Sequence, residues 1–227
     1  MIKTTENKPE LGIGIYTVPD IAQILRLPYH KVNRWVKHYW DNELGKEFNS
    51  RYSWTDGKSI AISFHTLVEL FTFYQLSNAG VSAKKIIDAH LILSKKFNSL
   101  FPFATAEVLN SISTDGTRVF FTIDKMDIIN LDVTLQFNLQ FIKDFFRKID
   151  FNGGSMAARL WPLGKDNCIV VDPDHQFGQA TISGTNINPE TIQELHEAGE
   201  PHYFIASLYN INERQIIDAL EFCQKAA

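Results

Sequence analysis

Residues 17–39 read TVPDIAQILRLPYHKVNRWVKHY, and this stretch decides how the rest of the chain is read. Thr17 is placed to cap a helix, Asp20 completes a capping box, and Pro19 is tolerated in the first turn. Ile21, Ile24 and Leu25 then recur at helical spacing. Leu27-Pro28 interrupts them, because the residue before a proline is pushed out of the helical region. A second helix is predicted over about Tyr29 to Tyr39, with Val32, Trp35 and Val36 on its apolar face. Two short helices joined by a tight turn follow the helix-turn-helix plan. The second helix carries Tyr29, His30, Lys31, Asn33, Arg34, Lys37 and His38 away from its apolar face. Such a helix suits the major groove, where arginine and asparagine read base edges and lysine pairs with phosphate. A solvated amphipathic helix is the plainer reading of the same pattern.

Working outward, residues 50–62, SRYSWTDGKSIAI, alternate apolar and polar side chains, and Asp56-Gly57 is a hairpin turn signal. A hairpin after a helix pair has the look of a wing, with Arg51 and Lys58 flanking its tip toward phosphates. A plain surface hairpin is the alternative. Helices are predicted over 64–78, capped by Ser63 and ended by Gly80, and over 83–97, closing on Lys95-Lys96. In the middle, a short helix is expected over 105–112 and a strand over 117–124. Residues 131–137 read as strand or helix, and 138–151 as a helix. Gly153-Gly154 is the predicted domain boundary. Residues 158–163 and 167–173 read as extended. Asn188-Pro189 opens a helix that Gly199 ends, 202–210 form a second with Phe204, Ile205 and Leu208 apolar, and Asn212 caps a third.

The 227 residues carry 22 basic and 26 acidic side chains, 44% hydrophobic and 21% charged. These proportions fit a folded chain and argue against wholesale disorder. No run approaches the roughly 18 apolar residues of a membrane span. The polar start MIKTTENKPELG lacks the apolar core of a secretory signal. Cys168 and Cys223 lie far apart and form no metal-type pair, which suits a reducing cytoplasm. Residues 1–100 hold 13 basic and 9 acidic side chains, whereas residues 101–227 hold 9 and 17. A basic front on an acidic rear suggests an anionic partner at one end and a different partner at the other.

No converging catalytic set is visible. His30 and His38 lie two helical turns apart, and His196 and His202 straddle a helix end. Asp172, Asp174 and His175 are explained by a proline-containing strand exit more simply than by a metal. Cys168 and Cys223 read as packing residues. Gly153-Gly154 lacks a P-loop lysine. The expectation is therefore a protein that is not an enzyme and needs no cofactor or metal.

Two resemblances follow from the motifs. The segment YTVPDIAQILRLPYHKVNRWV with RYSWTDGKSIAISFHTLVELFTFYQLSNAGVSAKKI resembles MerR-like winged helix-turn-helix domains. The segment from Ile169 to Phe222 resembles the antitoxin-like family catalogued as domain of unknown function 433. Its marks are Asp172-Pro173, Gly178, Ile182, Gly184-Thr185, Ile187, Ala198-Gly199, Ile205 and Tyr209. Ala180 stands where that family usually has proline, and Asn186 where arginine is usual after Gly-Thr. Together the segments resemble VapB-type antitoxins of the larger kind. That resemblance implies a two-gene toxin–antitoxin module, a PIN-like ribonuclease toxin as partner, and repression of the module's own promoter by a dimer.

The expected fold is mainly α within an α+β class. A MerR-like winged helix-turn-helix is expected over 1–100, an α+β linker or dimerisation segment over 101–155, and an antitoxin-like three-helix domain over 156–227. Operator double-stranded DNA would be contacted by His30, Lys31, Asn33, Arg34 and Lys37 from the helix and by Arg51 and Lys58 from the wing. The cognate toxin and a second copy of the chain are the expected protein partners, in the cytoplasm and away from the membrane. The alternatives are an autonomous MerR-like regulator that senses a small ligand in the phenylalanine-rich middle, and a pure interaction protein that no longer touches DNA.

Overall fold

The computed structural model describes residues 14–56, 59–114, 119–124, 127–130, 147–151 and 153–224. The class is α+β, and among the described residues the helices are set among three small antiparallel sheets. Strand β1 (Tyr16–Thr17) leads into α1 (Val18–Leu25), where the Thr17–Asp20 capping box forms and Arg26 closes the helix with φ 52°. Helix α2 (Tyr29–Trp35) starts directly after Pro28. It does not stop near Tyr39 as expected. It continues as a π-helical segment, Val36–Leu44, and then as α3 (Gly45–Phe48). Val36, Trp40 and Leu44 are all fully buried. Positions four apart lie on one face of a helix, so all three reach the same core.

Strands β2 (Ser53–Asp56) and β3 (Ser59–Ile62) form the hairpin, and β1 adds to the outer edge of β3 through Tyr16↔Ile62. Helix α4 (Phe64–Asn78) begins at Ser63, whose Oγ accepts from the Thr66 amide at 3.4 Å, and is buried nearly all round. A helix apolar on every side belongs at the centre of a core. Helix α5 (Ala83–Phe97) packs beside it. A 3-10 turn (Pro102–Ala104) and α6 (Ala106–Asn110), capped by Thr105, lead to the sheet β4 (Ile112–Thr114), β5 (Val119–Asp124) and β6 (Asp127–Asn130).

Most of the helix expected over 138–151, and all of 131–137, lie outside the described residues. Its end is a strand: β7 (Ile149–Asp150) pairs with β8 (Arg159–Leu160). Ile149 and Leu160 are both buried, so burial overrides the helical pattern at this point. The connection between β7 and β8 carries Gly153-Gly154, with Gly153 at φ 70°. The glycine pair expected as a boundary therefore lies inside a hairpin connection. The same sheet runs on through β9 (Ile169–Val171) and β10 (Ala180–Ile182). Helices α7 (Pro189–Glu197), α8 (His202–Tyr209) and α9 (Glu213–Cys223) close the chain, with the Asn212–Gln215 capping box at the last. One connected apolar cluster runs from Tyr16 to Cys223, so the ends of the chain share a core. No described helix is long and apolar enough to cross a membrane.

Candidate functional site

The first candidate surface is built on α2. Val32, Trp35 and Val36 point into the core. Phe73 of α4 packs against the aromatic residues of this helix and its extension, with ring centroids 4.9 Å from Trp35, 5.3 Å from Tyr39 and 5.3 Å from Trp40. His30, Arg34 and Lys37 are exposed, and their spacing of four and three puts them on one face. Two of the expected contacts stand differently. Lys31 is half-buried, with its Nζ 5.1 Å from the Trp35 ring centroid and 5.8 Å from that of Tyr74, a cation–π arrangement. Asn33 is half-buried, and its Oδ1 is enclosed without a hydrogen-bond partner. Arg51 is exposed beside the hairpin, and Lys58 lies outside the described residues.

Asp41 sets the angle between helix and hairpin. Its Oδ1 accepts from the Tyr52 amide at 3.2 Å and the Ser53 amide at 3.1 Å, and its Oδ2 accepts from Ser53 Oγ at 2.6 Å. Nothing in the hydrophobic pattern marked this residue. It lies within the π-helical segment, twelve positions before Ser53 of β2, so only the tertiary approach of helix and hairpin reveals its role.

The second candidate surface is α8. The sequence made Phe204, Ile205 and Leu208 its apolar face, but only Ile205 is buried. Tyr203 is 79% exposed, Leu208 56% and Phe204 43%. Residues 189–224 carry seven acidic side chains and only Arg214 as a base, and that arginine bonds Asp218 at 2.9 Å. The face is thus apolar within an acidic setting.

His196 Nδ1 and His202 Nε2 come within 3.2 Å of each other at the surface. Among the described residues, no group of three or more His, Cys, Asp or Glu is placed to hold a metal. Burial, with Asp218 adjacent, pushes the Cys168 thiol up to about 12. Burial, with Glu190 and Glu197 nearby, does the same to Cys223. Both shifts disfavour the thiolate, which is the nucleophilic form. The pair that sequence reasoning missed is Glu69 and His90. Both are fully buried, with Oε2 to Nε2 at 2.6 Å, while Glu69 Oε1 accepts from the Phe103 amide at 2.7 Å.

The two ends of the chain meet at a seam. The Gln23 amide donates to Glu190, Arg26 Nη2 donates to the Glu221 carbonyl, and the Ile15 amide donates to the Phe177 carbonyl at 3.3 Å. This seam lies behind the turn between α1 and α2.

Residues 169–223 match the model of a protein of unknown function family, DUF433. Over 222 residues the chain is 33% identical to the uncharacterized protein Rv2308 of Mycobacterium tuberculosis, covering 93% of this chain and 90% of that one. The chain belongs to the same family as that mycobacterial protein. Family membership thus extends across the basic end, the middle and the acidic end together. The crystal structure of Rv2018 from Mycobacterium tuberculosis is similar at a TM-score of 0.67 and 15% identity, covering 95% of this chain and 99% of that one. At that identity the likeness speaks to the fold.

Proposed function

We propose that this protein is the antitoxin of a two-gene module. In this reading it binds its operator through a winged helix-turn-helix at the basic end and neutralises a PIN-like ribonuclease toxin by direct binding. One contrast carries the reading. A single chain presents an exposed basic helix face, His30, Arg34 and Lys37, at one end and an exposed apolar face in an acidic setting, on α8, at the other. The basic face suits phosphate and base edges. The α8 face suits a protein groove that is apolar at its centre and basic at its rim. The DUF433 match over 169–223 supports the second half of the reading. A helix-turn-helix of this size reads DNA as a dimer, two recognition helices spaced by one DNA turn.

The test is a pull-down of the tagged protein from its native cells, with bound protein and bound DNA both identified. Recovery of a PIN-like protein together with DNA from one upstream region is expected. DNA from several promoters with no protein partner would replace this reading by an autonomous regulator. No DNA at all would leave a pure interaction protein.

A further inference from the structure

The seam between the two ends contains a cavity of about 280 Å³, walled by Tyr16, Asp20, Gln23, Gln179, Asn188 and Glu190, with Gly178 beside Tyr16. A second cavity, of about 610 Å³, shares Gln23 and Glu190 in its wall and also includes Arg26. Three buried polar atoms without hydrogen-bond partners belong to residues lining this pair of cavities: Tyr16 Oη, Asn188 Oδ1 and Arg26 Nε. Tyr16 is only 1% exposed. Buried polar atoms are ordinarily paired, and an orphan marks a place where a partner is absent.

The first cavity is rich in acceptors. Asn188 Oδ1 has no donor. Asp20 Oδ2 accepts from Thr17, and Glu190 Oε1 accepts from Gln23. Among the described residues neither carboxylate has an ion pair. Arg26, which lines the larger cavity, turns Nη2 to the Glu221 carbonyl. Burial raises the Tyr16 hydroxyl, and Asp172 and Asp20 raise it further, so it stays neutral, and its unpartnered oxygen can accept from an N–H donor. Two acids exceed the partial positive charge that the first turns of α1 and α7 supply. We propose that this cavity binds a small organic cation bearing two or more N–H donors, of the primary diamine class. Its volume lies just below the roughly 300–1,000 Å³ of ordinary small-molecule pockets, which suits a short ligand. The bound cation bridges α1 of the basic end and α7 of the acidic end, so occupancy stiffens the seam behind the turn between α1 and α2. The site stands independently of the antitoxin reading.

The test uses the full chain with putrescine as probe and 1,4-butanediol as its uncharged counterpart, at about 0.15 M salt to screen loose counter-ion binding. Putrescine is expected to raise the thermal midpoint saturably and to shift amides of residues 15–24 and 178–190, while the diol does neither. Glu190→Gln keeps the bond to Gln23 but loses the charge, and is expected to weaken putrescine at least about tenfold. The surface pair Glu194→Gln with Glu197→Gln is expected to leave binding unchanged. The proposal is overturned if the diol acts equally, if the surface pair weakens binding as much as Glu190→Gln, or if no saturable shift occurs. Should Glu190→Gln fail to fold, the amide map on the unaltered chain decides: shifts spread over the acidic helices overturn the site.

Discussion

Glu69 shows how much a single residue depends on its enclosure. Burial holds its carboxyl above the ordinary value of 4.5, against the opposing pull of His90 and the Phe103 and Ala104 amides. A carboxyl raised in the folded state contributes stability that is complete below its unfolded value and is lost as pH climbs through the folded one. Glu69→Gln retains an acceptor for Phe103 and removes this titration. Urea midpoints measured from about pH 5 to about pH 8 should therefore fall more steeply for the unaltered protein than for the variant. Parallel curves would show that the Glu69 value is not raised. Glu69→Ala is a harsher change, orphaning the Phe103 amide and leaving His90 without its partner. It should cost about 3–5 kcal/mol.

At the scale of elements, the π-helical extension of α2 is joined to the β2–β3 hairpin through Asp41. Asp41→Ala removes the acceptor of two amides and a hydroxyl, which should cost about 1–3 kcal/mol in urea unfolding. If the hairpin contributes phosphate contacts, DNA affinity should fall more than stability, with the salt slope reduced by about one. Equal losses in affinity and stability would mean that the hairpin does not touch DNA. On the helix itself, Lys37→Ala should weaken every duplex alike and lower the salt slope by about one. Arg34→Ala should relax preference at one base pair by about 1–3 kcal/mol. Titrations of both variants against a panel of duplexes separate the roles, and identical uniform losses would sink the base-reading assignment of Arg34.

The whole molecule turns on the packing between its two ends. Gly178 has φ +88°, and a Cβ there would lie 2.4 Å from Tyr16 Oη and 3.0 Å from the Gly14 Cα. Gly178→Ala should cost about 2 kcal/mol or more, from the left-handed backbone and from displacement of Tyr16. Because one apolar cluster spans both ends, hydrogen exchange should quicken in α1 and α7 together. Adding Tyr16→Phe removes the closest clashing atom and should recover part of the loss, a coupling that a double-mutant cycle measures. Exchange confined to residues near 178 would show that the ends do not unfold as one unit.

The elements with strong local signals were legible without coordinates. The Thr17–Asp20 and Asn212 caps, the Pro28 break, α4 between Ser63 and Gly80, and the β2–β3 pairing all form where neighbouring residues dictate, because caps and turns are satisfied within a few positions. Where the pattern served two structures, tertiary packing chose. Ile149 became a strand because Leu160 lay opposite it. The second helix ran on as a π segment because Val36, Trp40 and Leu44 all had core to fill. The candidate surfaces divided in the same way. His30, Arg34 and Lys37 were readable from helical spacing, since polarity and period place them. The inward lean of Lys31 and Asn33, the bare face of α8 and the acceptor-lined cavity between Tyr16 and Glu190 were not. Each depends on residues distant in sequence, and only the folded chain decides which neighbours a side chain meets.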